Sequence, residues 1–332
     1  MRELTVRTED AGQRLDRYLQ KYMALAPKSF FYKMLRKKNI TCNGKKCEGN
    51  IRLKAGDKIR LFLSDETIGR FSEKSGMSGI SRFLPPDFSA PVVYEDSQVL
   101  IFDKPAGVLS QKAKPDDVSM AEYVLHYLRQ KGEITEESLR MFRPAVCNRL
   151  DRNTSGLITA AKTSAGARAL SALLRERSVK KYYLCLAAGV IREKREISGW
   201  LLKDEARNQV RIFPSDPGGA DEIHTVYEPV GRGKDLTLLM VELITGRSHQ
   251  IRAHLAFDGH PVIGDSKYGN EAVNRRFRAR YGTAHQLLHA YRMEFPPLSD
   301  VLEGLSGKTV CAPLPDRFAD ILDGEGINRE GL

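Results

Sequence analysis

The sequence predicts an α+β protein: a small N-terminal α/β module followed by a larger domain built on a sheet with helices. Short apolar runs rich in β-branched residues alternate with amphipathic helical stretches along most of the 332 residues. They follow no regular βαβ repeat. No glycine-rich dinucleotide motif opens a helix, so a doubly wound parallel sheet is not expected. The length allows about two domains. With 41% apolar and 29% charged residues the composition fits a soluble globular chain. No apolar run approaches the roughly 18 residues of a membrane span, and the polar start Met1-Arg2-Glu3 opens no signal peptide, so a cytoplasmic protein without a membrane partner is expected.

The formal net charge of +11 is concentrated at one end. Residues 1–63 hold 16 Lys/Arg against 6 Asp/Glu, whereas the remaining 269 residues hold 37 against 36. A compact basic segment is the footprint of a polyanion binder, although a solvated basic face has the same composition. Cys42, Cys47, Cys147, Cys185 and Cys311 are odd in number and irregularly spaced, which argues against a disulfide framework and for a reducing compartment. Cys42 and Cys47 lack a second Cys or His pair at ligand spacing and read as strand residues around a turn.

Within the basic module, residues 13–23 predict an amphipathic helix, with Leu15, Tyr18, Leu19 and Tyr22 on one face. Pro27 suits the start of a second helix. Phe30, Phe31, Met34 and Leu35 form its apolar stripe, and Lys28, Lys33, Arg36, Lys37 and Lys38 its basic surface. Asn39–Cys42 reads as a short strand, Asn43-Gly44 as a hairpin turn, Ala55-Gly56-Asp57 as another turn, and Lys58–Leu63 as a closing strand. Over about residues 12–63, from Arg14-Leu15-Asp16-Arg17-Tyr18-Leu19 to Gly56-Asp57-Lys58-Ile59, the sequence resembles the S-four-like RNA-binding module, named after a ribosomal protein. Residues 64–90, rich in Ser, Gly, Lys and Glu and closed by Pro85-Pro86, read as a flexible linker.

From residue 91 to about 325 a second domain is expected. Val92–Tyr94, Val99–Phe102, Tyr182–Ala187 and Thr237–Ile244 read as strands, Ala121–Gln130 and Ala165–Arg175 as helices. Asp151 lies between Arg149 and Arg152 in Cys147-Asn148-Arg149-Leu150-Asp151-Arg152-Asn153-Thr154-Ser155-Gly156. It could be a turn residue bonded to nearby backbone. It could equally be a carboxylate with a neutralising partner or a chemical task, because on an RNA-facing loop it would repel phosphate. The histidines His249, His254 and His260 with Asp258 and Asp265 invite a metal site. Yet residues 249 and 254 fall on opposite faces of a strand and off a shared helix stripe, and His285 and His289, spaced for one helix face, lack nearby carboxylates. No metal is expected. Tyr182-Tyr183 in a strand fits ordinary core.

Together, Arg149-Leu150-Asp151-Arg152-Asn153-Thr154-Ser155-Gly156, Lys181-Tyr182-Tyr183 and Thr245-Gly246-Arg247-Ser248-His249-Gln250-Ile251-Arg252 resemble the successive motifs of the RluA-type pseudouridine synthases. Asp103-Lys104-Pro105-Ala106-Gly107, Pro261-x-x-Gly264-Asp265 and Leu288-His289-Ala290 also match, and the resemblance runs from about residue 91 to 316. The one departure is Asn148, where the family usually has histidine.

The resemblance implies a pseudouridine-synthase-type mixed, mainly antiparallel sheet flanked by helices. It implies isomerisation of uridine in structured RNA, ribosomal RNA of the large subunit first and transfer RNA as the alternative, without a cofactor. It assigns the nucleophile to Asp151, a bidentate guanidinium partner to Arg252, and a pocket aromatic that stacks on uracil to Tyr183. Arg149 becomes a wedge filling the place of an everted base, with Arg247, Lys181 and Arg152 on nearby phosphates. The rivals are a non-catalytic RNA-binding assembly factor and a metal-dependent phosphoesterase using the histidine-rich segment.

Overall fold

Asn43 and Gly44 make the expected tight turn: both have positive φ (50° and 73°), and Cys42 and Lys45 exchange backbone hydrogen bonds of 2.9 and 3.1 Å across it. The ladder partner of β2 (Ile40–Cys42) is nevertheless the later strand β3 (Lys58–Leu61), which also pairs with β1 (Arg2–Thr5). The computed structural model describes residues 1–72, 88–114 and 116–328. In it, this antiparallel sheet β1-β3-β2 is covered by α1 (Leu15–Tyr22) and α2 (Lys28–Arg36). Their apolar stripes bury Leu15, Tyr18, Leu19 and Tyr22, and Phe31, Met34 and Leu35, around Ile40, Ile59 and Leu61.

The segment expected as a flexible linker, 64–90, begins instead with a helix, α3 (Asp65–Phe71). Ser64 caps it by accepting from the Thr67 N–H at 3.2 Å, and Asp65 and Glu66 in the first turn complement the helix dipole. Ile68 is buried in the core shared by α1 and α2, and the Phe71 ring lies 4.7 Å from that of Phe30. Burying an isoleucine side chain is worth about 2 kcal/mol, so α3 belongs to the small unit, which reaches Ser72. Composition misled here because the Ser that suggested a loop is a cap. The rest of the expected linker, 73–87, lies outside the described residues.

In the larger unit, the strands are β4 (Val92–Glu95), β5 (Val99–Lys104), β6 (Ala145–Val146), β7 (Ser155–Ala161), β8 (Lys180–Ala188), β9 (Arg195–Asp204), β10 (Gln209–Phe213), β11 (Asp221–Arg232), β12 (Leu236–Leu243), β13 (Leu288–Glu294) and β14 (Thr309–Cys311). The sheet runs β10-β9-β11-β12-β8-β13-β7-β5-β4, with β6 on β7 and β14 on β13. Every junction is antiparallel except β7–β13, so the mixed, mainly antiparallel sheet is as expected. At that parallel junction Gly156 has φ 107°, and a Cβ would lie 2.6 Å from the Ala290 nitrogen. Only glycine lets the two backbones approach this closely.

Helices α4 (Met120–Gln130), α5 (Glu136–Met141), α6 (Ser164–Arg175), α7 (Gln250–Phe257), α8 (Glu271–Tyr281) and α9 (Asp316–Gly324) flank the sheet. The unbroken Val99-Leu100-Ile101-Phe102 run is explained by burial on both faces. Leu100 and Phe102 meet Val124 and Leu128 of α4, while Val99 and Ile101 meet Leu170 of α6. In β8, Leu184 and Leu186 share a core with Phe277 of α8 and Ile321 of α9, while Tyr183 and Cys185 share one with Ile251 and Leu255 of α7. Strand alternation thereby turns Tyr183 toward the face where α7 lies. The units touch where Met141 of α5 packs on the small core and the Arg140 guanidinium lies 5.6 Å from the Tyr22 ring centroid.

Candidate active site

Asp151 sits in a turn whose backbone is clamped on both sides. Leu150 donates its N–H to Ser110 Oγ, and Ser110 Oγ donates to the Leu150 carbonyl, both at 2.9 Å. The Arg152 carbonyl accepts from Lys104 Nζ at 3.0 Å and from the Gly107 N–H at 2.9 Å. Lys104 is fully buried at the end of β5 and also donates to the carbonyls of Pro105 (3.0 Å) and Val108 (2.8 Å). Burial pushes its pKa down to about 7, opposed by Asp151 and Asp103. Three carbonyl acceptors call for the three donors of an ammonium, and we assign that form. The 104–110 segment thus fixes the peptides either side of Asp151.

Both sequence readings of Asp151 describe part of the geometry. Its carbonyl accepts from the Thr154 N–H at 3.1 Å, which makes the turn. Its carboxylate leaves the turn and meets Arg252, with Nη1 2.7 Å from Oδ2. Arg252 lies in the first turn of α7. The expected bidentate pair, however, is made with Asp265: Nε–Oδ2 is 2.6 Å and Nη2–Oδ1 2.8 Å, whereas Asp151 receives one hydrogen bond. Asp265 is fully enclosed and also accepts from the Lys267 and Tyr268 N–H groups at 2.8 and 3.1 Å. Burial pushes its carboxyl up, but the Arg252 bonds and charge outweigh this and hold it below the usual range. Burial likewise opposes the Arg252 cation, and the two carboxylates raise it.

These groups open on a cleft of about 520 Å³ walled by Asp151, Tyr183, His249, Arg252, Leu243 and Leu288. Tyr183 is 6% exposed, and burial together with the Asp151 charge raises its phenol, which keeps it neutral. Arg149, Lys181 and Arg247 line the same cleft. Arg149 is exposed, Arg247 is tied to Asp221 at 2.9 Å, and burial beside Arg177 pushes Lys181 down. Arg152, expected with them on nearby phosphates, is not part of the cleft wall. It is exposed and lies 3.8 Å from Asp117. Arg175 and Arg177 at the end of α6 do line it. Neither was singled out from the sequence.

The other loop walls explain their sequences. Gln250 accepts from the Arg247 N–H (3.1 Å) and Thr245 Oγ1 (2.8 Å), and donates to the His224 carbonyl (3.0 Å), which folds the 245–250 loop onto β11. Asn148 accepts from the Thr159 N–H (2.7 Å) and Oγ1 (3.0 Å), so it serves as a backbone tie. The histidines do not converge: His249 meets Tyr268, His254 meets Thr225, His260 the Ala188 carbonyl and His289 Ser155. His289, spaced with His285 for a helix face, stands in strand β13. Among the described residues no three His, Cys, Asp or Glu side chains gather to hold a metal ion. No helix among them is long and apolar enough to cross a membrane.

A family model described as RNA pseudouridylate synthase matches residues 98–257, a span that holds Asp151, Tyr183 and Arg252. The chain is 31% identical over 291 residues to the ribosomal large subunit pseudouridine synthase C of Vibrio cholerae, covering 86% of this chain and 85% of that one. The chain belongs to the RNA pseudouridylate synthases. This synthase is also 30% identical to the protein of the same name from Pasteurella multocida, over 96% of its own length and 92% of the relative's, and 28% identical to that of Escherichia coli over 88% of each. Among solved structures, human RNA pseudouridylate synthase domain containing 4 shares its fold. The TM-score is 0.58 at 20% identity, covering 71% of this synthase and 93% of the human chain. The enzyme is an isomerase whose substrate is uridine in RNA.

Proposed function

We propose that the synthase modifies a uridine of large-subunit ribosomal RNA in the cytoplasm, with Asp151 as the nucleophile. The target RNA is taken from the names of the bacterial relatives, which cover most of this chain. The single observation that carries the chemistry is the Asp151 carboxylate, held at 2.7 Å by Arg252 on the wall of the cleft. A carboxylate so placed can engage the sugar while the base leaves C1′ through nitrogen and returns through carbon 5. Arg252, itself fixed by Asp265, aims that carboxylate. Tyr183 offers a neutral aromatic face for the detached uracil.

The target base must leave its stack, at a cost of a few kcal/mol, and Arg149, exposed two residues from Asp151, is suited to fill the gap. Arg247, Lys181, Arg175 and Arg177 present cations for the neighbouring phosphates. The small unit is read as an RNA-binding module. Lys28, Lys33, Arg36, Lys37 and Lys38 form no ion pair among the described residues, in contrast to Arg14, Lys58 and Arg60, so their charges are available to a polyanion. The deciding experiment has two arms. Tritium release from ribosomal RNA labelled at uridine carbon 5 is expected with the wild type and not with Asp151→Asn. Mapping pseudouridines in a deletion strain is expected to show one or more sites missing from large-subunit RNA. Sites missing only from transfer RNA would overturn the target, and an active Asp151→Asn enzyme would overturn the nucleophile.

A further inference from the structure

We propose that the Nε2–H of His249 donates a hydrogen bond to a carbonyl oxygen of the everted uracil and stabilises the base as it leaves the sugar. The proposal rests on the reading of Asp151 above and assigns the opposite side of the same step.

His249 shares the cleft wall with Asp151, Tyr183 and Arg252. Its backbone is left-handed (φ 55°, ψ 13°) at the N-cap of α7, and its side chain makes no capping bond. Such a conformation costs an L-residue roughly 1–3 kcal/mol. Here it is not repaid by helix capping, and what it achieves is the placement of the ring. The ring is held through Nδ1, 3.0 Å from Tyr268 Oη. Tyr268 Oη already accepts the Val210 N–H at 2.8 Å. If Nδ1 carried the proton, the tyrosine hydrogen would have no acceptor among the described residues. With Tyr268 donating to Nδ1, both the tyrosine hydroxyl and Nδ1 are satisfied, and the proton of the neutral imidazole is left on Nε2. Burial, reinforced by Arg252 and Lys267, pushes His249 down, while Asp151 and Asp265 pull the other way. The ring is therefore a neutral donor at pH 7. Nε2 has no partner among the described residues, and His249 lines the cleft.

The chemistry gives such a donor a task. When the N1–C1′ bond breaks, its electron pair goes to uracil, and the charge spreads over N1, O2 and O4. Asp151 takes up the electron deficiency at C1′. As carbon 5 bonds to C1′ the Asp151 carboxylate is released from it, and then the carbon 5 proton passes to solvent while N1 takes up a proton from solvent. The imidazole proton stays on Nε2 throughout, and its hydrogen bond strengthens as the oxygen gains charge. A fixed donor of this kind typically contributes roughly 10²–10³-fold to the rate.

The test uses the full-length enzyme under single turnover with synthetic RNA carrying uridine, 2-thiouridine or 4-thiouridine at the target position, and conversion is followed by nucleoside analysis. Sulfur is a weaker acceptor than oxygen. One of the two thio substitutions is expected to slow the wild type several-fold. His249→Leu is expected to be roughly 10²-fold slower on uridine RNA, with RNA affinity retained and that thio effect abolished. His249→Gln, which can return an amide N–H to the position of Nε2, should recover part of the rate. Should His249→Leu not fold, Tyr268→Phe carries the same test, because it releases the tautomer and should shrink the thio effect. Equal thio effects in the wild type and the variants, for both substitutions, would overturn the donor while leaving the enzyme's activity intact. Asp151→Asn converting uridine RNA at a rate close to that of the wild type would overturn the reading of Asp151 instead.

Discussion

Arg252 holds Asp265 through two hydrogen bonds, of 2.6 and 2.8 Å, and Asp151 through one, of 2.7 Å. The stronger grip is on the carboxylate fully enclosed in the protein; the Asp151 side chain keeps 25% of its exposure. Asp265 and Asp151 are thereby separated into an anchor and a working group. Removing the anchor's charge leaves a buried guanidinium half-compensated, which typically costs about 3–5 kcal/mol. Asp265→Asn is thus expected to lower the melting temperature clearly. It should also reduce kcat more than KM, because the freed guanidinium no longer aims Asp151. Unchanged thermal stability would show that the ion pair is not the anchor.

Asp151→Asn should behave in the opposite way. The amide keeps shape and volume, the site is partly open, and Arg252 retains its bidentate partner. Stability should change little, while turnover falls by several orders of magnitude and RNA affinity persists. Melting curves, tritium release and a binding titration on one preparation test all three expectations.

Lys104 ties three carbonyls, one of them belonging to Arg152 beside Asp151. Lys104→Met fills the volume but leaves the Pro105 and Val108 carbonyls unpaired and the Arg152 carbonyl with Gly107 alone. Each buried orphan costs about 1–3 kcal/mol. The expected result is a destabilised enzyme with reduced kcat, and faster amide exchange at Gly107, whose N–H shares the Arg152 carbonyl. Exchange at Gly107 matching that of the wild type would mean that the loop holds without the lysine.

What the sequence disclosed follows from how local the cause was. Helical stripes such as Leu15–Tyr22 and the Asn43-Gly44 turn depend on neighbours in the chain, and they formed as read. Asp151, Tyr183 and Arg252 were legible through their motifs, but the Asp265 grip on Arg252 was not. Two loop residues and a helix residue must first be brought together before it can be seen which carboxylate receives two bonds. Arg152, next to Asp151 in sequence, is exposed and lies 3.8 Å from Asp117. Arg177, 26 positions away in the chain, lines the cleft. The Ser64 cap and the buried Ile68 were hidden in a polar stretch, and only the small core reveals them.

The basic helix α2 offers a prediction independent of catalysis. Lys33, Arg36 and Lys37 are exposed and unpaired among the described residues. Deleting residues 1–63 would strip α3 of its core and expose Met141, so charge removal is the cleaner probe. The triple substitution Lys33→Ala, Arg36→Ala, Lys37→Ala should weaken RNA binding. It should also flatten the slope of log K against log salt by about 2, because each phosphate that a cation neutralises adds roughly 0.7–0.9 to that slope. The melting temperature should not change. An unaltered salt slope would remove α2 from the RNA interface.

Acid should destabilise the synthase through two histidines that take no part in the proposed chemistry. His254 and His289 are almost wholly enclosed, at 1% and 0% exposure, and burial pushes both down to about 4. In the unfolded chain their pKa is about 6.5. Above that value both states are neutral and pH has no leverage. Between about 6.5 and 4 the unfolded chain binds protons that the folded one refuses, so stability falls as pH falls. Below about 4 the folded protein takes them too, and the loss levels off. Each histidine accounts for roughly 3 kcal/mol over that window, from about 1.4 kcal/mol per pKa unit. His289 is held by Ser155 Oγ at 2.8 Å and His254 by Thr225 Oγ1 at 3.0 Å, hydrogen bonds that a glutamine amide can reproduce. Denaturant midpoints at pH 7 and pH 5 should therefore differ by less in His254→Gln and His289→Gln than in the wild type, with the double variant flattest. A wild-type pH dependence that survives both substitutions would place the acid sensitivity elsewhere.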